Sequence, residues 1–373
     1  MQSWGGGEEF ILKLCNYLTD FKFVIATPPG ETENIFTKKK LNVFVLKSLS
    51  KIYKSENKWN LVSKIKILFK VKISSFSLIS LIIKEKINLI IANGNFAALF
   101  SIIPSFFLRK KLIVIQHLIY NTNSFESKLL KFIIKFSDKF ICVSNSVKQN
   151  ILLIVGENYN KKLYVIYNGI ELPDVELLLA EKNDDKIKIG IVGSIIRIKG
   201  IDLVIDALAE IIHQNSKVHL FIYGTPNNQN DSIEYKKGLE KQIEENSLNK
   251  NVHFMGYEKD KTKIYNNLDV VLNYSIVSEA FPFTILEAMS YKKIVIAADI
   301  GGPKEIIIDN ENGFLIESGN KNKLEKKIKY VVNGFDTNEI NLVKENARNT
   351  IKDKFNVNIF VQGYNEIFNS INN

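Results

Sequence analysis

Two cysteines in 373 residues, Cys15 and Cys142, make no disulfide framework, and so few point to a reducing compartment. The first seven residues carry no basic flank and no apolar run, so no secretory leader is expected. Arginine is scarce: three stand among 50 basic residues, so cationic patches here are lysine patches. There is no low-complexity tract and no short-period repeat. The longest uncharged stretch, residues 87–108, has the length of a bilayer span, which takes about 20 apolar residues. Asn88, Asn93, Gly94, Asn95 and Pro104 interrupt it. It reads instead as a buried strand at 89–92, a turn at 93–95 and a short buried helix, with a membrane span as the lesser alternative.

What is present is a globular composition, 46% hydrophobic and 24% charged. The chain is too long for one ordinary core, so two domains are expected. The formal charge of +10 is concentrated: between Lys38 and Lys86 stand 13 lysines and two acids, Glu56 and Glu85. Lysine stems lie along apolar surface with their heads in water, and Ile, Leu, Phe and Trp59 are interleaved here. Such a segment suits the anionic face of a membrane; a solvated face in a lysine-rich chain is the plainer alternative. Nucleic acid is disfavoured, because no recognised binding module accompanies the charge.

Apolar runs alternate with helical patterns in both halves, which predicts an α/β protein with parallel sheets. In the first half 21–26, 89–92, 112–116, 140–143 and 163–167 read as strands, and 8–18 as a helix with Phe10, Ile11, Leu14 and Leu18 on one face. Asn168-Gly169 is a turn signal. The second half restarts with strands at 187–192, 218–223, 252–255, 270–273 and 294–298 and a first crossover helix at 201–213. The expected division is an N-terminal domain at 1–172, a linker at 173–186, a C-terminal domain at 187–355 and a C-terminal helix at 356–373 packing back on the N-domain. Ligands of such sheets bind at the carboxyl ends of strands.

Two loops in those places carry chemistry. Residues 193–200 run Gly-Ser-Ile-Ile-Arg-Ile-Lys-Gly between a strand and a helix. Glycine allows close backbone approach, a helix N-terminus offers unpaired N–H groups, and Arg197 and Lys199 add two cations. This suits a diphosphate leaving group, whose charge grows as its bond breaks; an ordinary strand-to-helix turn with surface cations is the even alternative. The pattern is not Gly-x-Gly-x-x-Gly, which argues against a dinucleotide enzyme. Residues 278–289 place Glu279 and Glu287 eight apart, flanking Phe281, Ile285 and Leu286, with Pro282 leading into a helix. Carboxylates accept hydrogen bonds from vicinal hydroxyls, so sugar and ribose are natural partners.

The glutamate–seven residues–glutamate spacing resembles that of the family 4 retaining glycosyltransferases. So does Gly193 with Lys199-Gly200-Ile201-Asp202, similar to that family's phosphate loop. Gln116-His117, Cys142-Val143-Ser144, Asn168-Gly169-Ile170, Gly301-Gly302-Pro303-Lys304-Glu305 and Asn312-Gly313-Phe314-Leu315 resemble further segments in the family's order. The resemblance covers nearly the whole chain. It implies a GT-B fold, two facing Rossmann-like domains with an interdomain cleft, and retention of anomeric configuration. It implies no obligatory metal and no cofactor, a nucleotide-diphosphate sugar being the co-substrate; the chain has no Asp-x-Asp pair, the usual metal–diphosphate motif of the other main fold.

By the same match Glu287 would bind the donor ribose, Glu279 hydroxyls of the transferred sugar, and Arg197 and Lys199 the diphosphate. Gly256 and Tyr257 would meet the base, and backbone N–H groups near Phe283 the phosphates. Phe281, Gly193 and Gly6 would complete the donor side. His117, with Asn93 and Asn95, would sit on the acceptor side beside the transferred sugar. His213, His219 and His253 lie within helix or strand patterns and read as structural.

Three features depart from the family's pattern. Ser3-Trp4-Gly5-Gly6-Gly7-Glu8 resembles its glycine-rich loop, yet the strand that normally leads into that loop is missing from the pattern. Ser194 stands where arginine is common, and Ala280 where glycine is. The expected function is a retaining, metal-independent hexosyltransferase of surface polysaccharide or glycolipid synthesis. It would be cytoplasmic and peripheral at the inner face of the membrane, acting on a lipid-linked glycan acceptor. Two alternatives share these residues: a catalytically impaired donor-binding partner subunit, and a nucleotide-sugar 2-epimerase.

Overall fold

The computed structural model describes residues 5–49, 61–174, 185–227 and 230–372. Ser3 and Trp4, the middle of the basic segment with Trp59, and most of the linker read at 173–186 lie outside them. The chain divides into two compact units, Met1–Tyr167 with Phe360–Asn373, and Asn168–Ile359.

The first unit runs α1 (Gly6–Tyr17), β1 (Ile25–Thr27), α2 (Glu31–Lys38), β2 (Val43–Val45), α3 (Leu61–Lys84), β3 (Leu89–Asn93), α4 (Asn95–Leu108), β4 (Lys111–Gln116), α5 (Phe125–Phe136), β5 (Lys139–Cys142), α6 (Asn145–Val155) and β6 (Leu163–Val165). Every strand pairing is parallel, and the described strands form two sheets, β1-β2 and β3-β4-β5-β6. The central strands are continuous apolar runs because helices cover them: Ile113, Val114, Ile115 and Ile141 are fully buried. The stretch 87–108 forms the strand, turn and helix its interruptions predict. Ser144, two residues after β5, caps α6 by accepting from the Val147 amide at 3.1 Å, a link of about 1 kcal/mol.

The second unit runs β7 (Ile187–Val192), α7 (Ile201–Gln214), β8 (Val218–Tyr223), α8 (Asn230–Glu245), β9 (Val252–Gly256), α9 (Lys261–Asn266), β10 (Val270–Asn273), α10 (Phe283–Ser290), β11 (Ile294–Ala298), α11 (Pro303–Ile306), β12 (Phe314–Ile316), α12 (Lys321–Asn333) and α13 (Asn338–Lys354). Its six strands form one parallel sheet, ordered β12-β11-β10-β7-β8-β9. Helix α7 shows why this core holds. Ile201, Val204, Ile205, Leu208, Ile211 and Ile212 recur at helical spacing, and all are buried; each such side chain contributes roughly 1.5–3 kcal/mol. Asn312 pins the turn before β12, accepting from the Ile308 amide at 2.8 Å and donating to Ile306 O and Thr350 Oγ1.

The last helix, α14 (Val357–Asn372), belongs to the first unit from Phe360 onward. There Phe360 packs edge-on and Tyr364 at a tilt against Phe10 of α1, and Phe368 meets Phe21 edge-on at 5.3 Å.

Candidate functional site

The second unit's sheet reverses direction of growth between β7 and β10, since β7 is followed outward by β8 on one side and neighboured by β10 on the other. Ligands of open parallel sheets sit outside the carboxyl ends of the strands at such a switch point. Three glycines lace the loops there. Gly193, Gly224 and Gly256 follow or end β7, β8 and β9, with Gly193 N donating to Tyr223 O at 2.9 Å and Gly224 N to Gly256 O at 2.7 Å. Gly224 has φ +146°, and a Cβ on it would stand 1.9 Å from Gly193 O, so no other residue fits.

Across this edge Lys199 Nζ lies 2.7 Å from Glu279 Oε1, both side chains mostly covered. Ser275, just beyond β10, donates its hydroxyl to the same oxygen. The Glu279 loop is held from behind by a glycine pair. Gly302 N donates to Glu279 O at 2.8 Å, and a Cβ on Gly301 or Gly302 would come within 2.5 Å of the backbone carbonyl of Glu279 or Ala280. Glu287, in α10, is buried. Its Oε2 accepts from the Tyr265 hydroxyl at 2.7 Å and from Lys261 Nζ at 3.1 Å. A buried carboxylate is retained only when so paired, and both donors reach the same oxygen.

The other named residues divide. Tyr257 is exposed beside Gly256 at the end of β9, and Phe283 is the first residue of α10. Phe281 turns its ring inward against Phe355 at 5.4 Å, while Asn168 donates to its carbonyl at 3.3 Å. Arg197 does not join Lys199: its guanidinium lies 3.2 Å from Asp231 and over the Tyr235 ring. His219 and His253 stack near the start of β8 and β9, their ring nitrogens 3.1 Å apart, at the sheet edge opposite these loops.

In the first unit the corresponding edge carries Asn93, at the end of β3, and His117, directly after β4. Asn93 Nδ2 donates to Gly7 O at 3.2 Å, so its Oδ1 faces His117 Nε2 at 2.6 Å. The imidazole therefore carries its proton on Nε2 and presents Nδ1 as an acceptor. Phe10 packs edge-on against the ring at 4.5 Å. Stripped of water by these neighbours, the ring's pKa falls to about 4, so it stays neutral at physiological pH. Gly6 opens α1 beside this cluster. Asn95 starts α4 and donates to Glu126 O at 3.3 Å.

The description "Glycosyltransferase Family 4" matches residues 4–173, and "Glycosyl transferases group 1" matches residues 180–350. The chain belongs to the group 1, family 4 glycosyltransferases. Among this family, an uncharacterized glycosyltransferase of Methanocaldococcus jannaschii is 28% identical over 72% of this chain and 70% of its own length. The poly(ribitol-phosphate) alpha-N-acetylglucosaminyltransferase of Staphylococcus aureus is 28% identical over 63% of this chain but only 47% of its own. HepE of Anabaena, solved with UDP-glucose, superimposes with a TM-score of 0.80 at 22% identity, covering 99% of this chain and 97% of that one. That likeness establishes the GT-B fold.

Within this glycosyltransferase, sequence reasoning missed Ser275, Tyr265, Lys261 and Gly224. Ser275 and Tyr265 belong to no motif, and only the sheet order brings them to Glu279 and Glu287. Lys261 and Tyr265 do stand four apart, on one face of α9, but that spacing alone names no partner. Among the described residues no three His, Cys, Asp or Glu side chains gather as a metal site.

Proposed function

We propose that the protein is a retaining glycosyltransferase that moves a sugar from a nucleotide-diphosphate sugar, bound by the second unit, to a lipid-linked glycan acceptor bound by the first. It works in surface polysaccharide or glycolipid synthesis. The observation that carries this reading is the charge arrangement at the β7–β10 switch point. Lys199 and Glu279 neutralise each other at 2.7 Å, and a donor exchanges that pair for two better matched contacts. Its diphosphate takes the ammonium, and hydroxyls of its sugar take the carboxylate. Glu287 accepts from the ribose. The amides at Phe283 and Gly193 meet the phosphates, and Tyr257 and Gly256 the base. Arg197 is the second diphosphate cation, because its exposed pairing with Asp231 holds it by no more than about 1 kcal/mol. The UDP-glucose complex of HepE, a protein of the same fold, supports a nucleotide-sugar donor.

No nucleophilic side chain is assigned to the reaction, so retention follows a front-face path. The bond from C1 to the leaving phosphate oxygen breaks, the bond from C1 to the acceptor oxygen forms on the same face, and the acceptor proton passes to the departing phosphate. Lys199 stabilises the charge that grows there, without a metal ion; losing one such preorganised contact costs about 10²–10³ in kcat. Neutral His117 orients hydroxyls through Nδ1, with Asn93 bonded to it and Asn95, at the start of α4, also assigned to the acceptor side. The basic segment between Lys38 and Lys86 brings the protein to the inner, anionic face of the membrane.

A screen of UDP-, GDP- and ADP-sugars for binding and slow hydrolysis, with Glu287→Ala as control, tests the donor half. One donor should bind, and the variant should lose it. Binding of no nucleotide sugar would overturn the reading. A second reading, a donor-binding partner subunit without transferase activity, predicts donor binding with no transfer to any glycan acceptor.

A further inference from the structure

Helix α3 is apolar on both sides. One face carries Ile67, Val71, Leu81 and Ile82 and is buried. The opposite face carries Ile65, Phe69, Phe76 and Ile83, which fall within about 40° of one another at 100° per residue. These four are exposed, Phe69 by 66% and Phe76 by 68%. A helix packed on a soluble core normally turns a polar face to water. Here the only charged residues in the helix are lysines, among them the exposed Lys66, Lys72 and Lys84, and it has no acid. Among the described residues no helix is long and apolar enough to cross a membrane, so this stripe is not a span.

The surface continues past the helix end. Lys84 leads into β3 and Leu108 into β4, and the first residues of those strands, Leu89 and Lys111, are paired. The last turns of α3 and α4 therefore lie at one edge of the sheet. Phe106 and Phe107 stand there, 72% and 70% exposed, followed by Arg109 and Lys110. With Phe136 of α5 they line an open hollow of about 550 Å³. The one acid of the hollow, Asp138, is bound to Lys111 Nζ and to the Leu112 amide. Aromatic and aliphatic side chains among cations, without free acids, match one occupant: a surface with apolar chains beneath anionic headgroups. A second copy of this chain would set lysines against lysines.

We propose that this face docks on an anionic bilayer by insertion. Helix α3 lies in the membrane plane as an interfacial helix, with Phe69, Phe76 and Ile83 among the acyl chains and its lysines at the headgroup phosphates. Phe106 and Phe107 enter beside its C-terminal end, and Arg109 and Lys110 meet headgroups in the hollow. The inference rests on the membrane reading above and sharpens it from attraction by charge to insertion by named side chains.

Co-sedimentation with vesicles of phosphatidylcholine mixed with phosphatidylglycerol tests it, with phosphatidylcholine vesicles and a vesicle-free spin as references. Wild-type protein should pellet with the mixed vesicles and keep part of that binding at high salt, where purely electrostatic attraction is screened. The double variant Phe69→Ser/Phe76→Ser should bind about 100-fold more weakly. Leu342→Ser, an equally exposed leucine of α13 in the other unit, should change nothing. Donor binding by both variants should equal wild type, which shows that each is folded. If the double variant binds as wild type while Lys66→Glu/Lys72→Glu does not, attraction by charge stands and insertion is overturned. If wild type co-sediments with neither kind of vesicle, both fall. Pelleting without vesicles would identify a second copy as the occupant and overturn the proposal.

Discussion

The two units are built from the same parts, yet their sheets differ at one position. In the second unit the first strand, β7, lies mid-sheet between β10 and β8, and its Gly190 is packed so closely that a Cβ would stand 2.3 Å from a Leu268 methyl. In the first unit that middle position has no described strand. Among the described residues β1 pairs only with β2, and β3 only with β4. The burial follows: Leu89, Ile90 and Ile91 of β3 are half-buried, whereas the next strand is buried almost throughout. A strand with two partners fixes the loop at its end from both sides, as the glycine lacing around Gly193 and Gly224 illustrates. A strand with one partner leaves that task to side chains. In the first unit Asn93 ties Gly7 to His117, and the aromatic residues of α14 pack on α1.

Breaking the lacing should have the largest effect. Gly224→Val places a branched side chain at φ +146° and against Gly193 O. It should cost the second unit about 3 kcal/mol or more, read as a lowered unfolding temperature of that unit with the first unchanged. Next comes hydrogen exchange: among the described strands β3 has one neighbour and β7 has two, so amides of β3 should exchange about 100-fold faster than those of β7. Equal protection would mean that the divided sheet is as firm as the continuous one.

A pH effect comes third. Unfolded, His117 titrates near its ordinary 6.5; folded, only near 4. The unfolded chain thus binds the extra proton between these values. Stability from this group is complete above about 6.5 and falls as pH drops toward 4. His117→Gln should flatten that part of the first unit's pH–stability curve, and an unchanged slope would refute the assignment. Smallest is Arg197→Ala, which removes an exposed pair with Asp231 and should shift stability by under about 1 kcal/mol while weakening donor binding.

The same contrast governs what could be read from the chain. Strands β7, β8, β10 and β11 are bounded as their apolar runs predict, since a strand covered on both faces is apolar throughout. The reading at 21–26 began too early: only Ile25–Thr27 pairs, and the Phe21 ring is used against Phe368 instead. Strand β2, three residues in a lysine-rich stretch, gave no period to detect. Strand β12 was legible only as part of a family-like segment. Helix α3 hid itself, because apolar residues on both faces erase the helical period. Lys199 and Glu279 were each legible as candidates, but their 2.7 Å pairing spans 80 residues and required the sheet order to predict.

The most direct test of the central claim, that Lys199 holds the diphosphate and Glu279 the sugar, is calorimetric titration of Glu279→Ala with a nucleoside diphosphate and with the matching nucleotide sugar. The account predicts that the diphosphate binds at least as tightly as to wild type, because Lys199 is released from its partner, while the extra affinity conferred by the sugar is lost. Equal weakening toward both ligands, or full retention of the sugar's contribution, would contradict it.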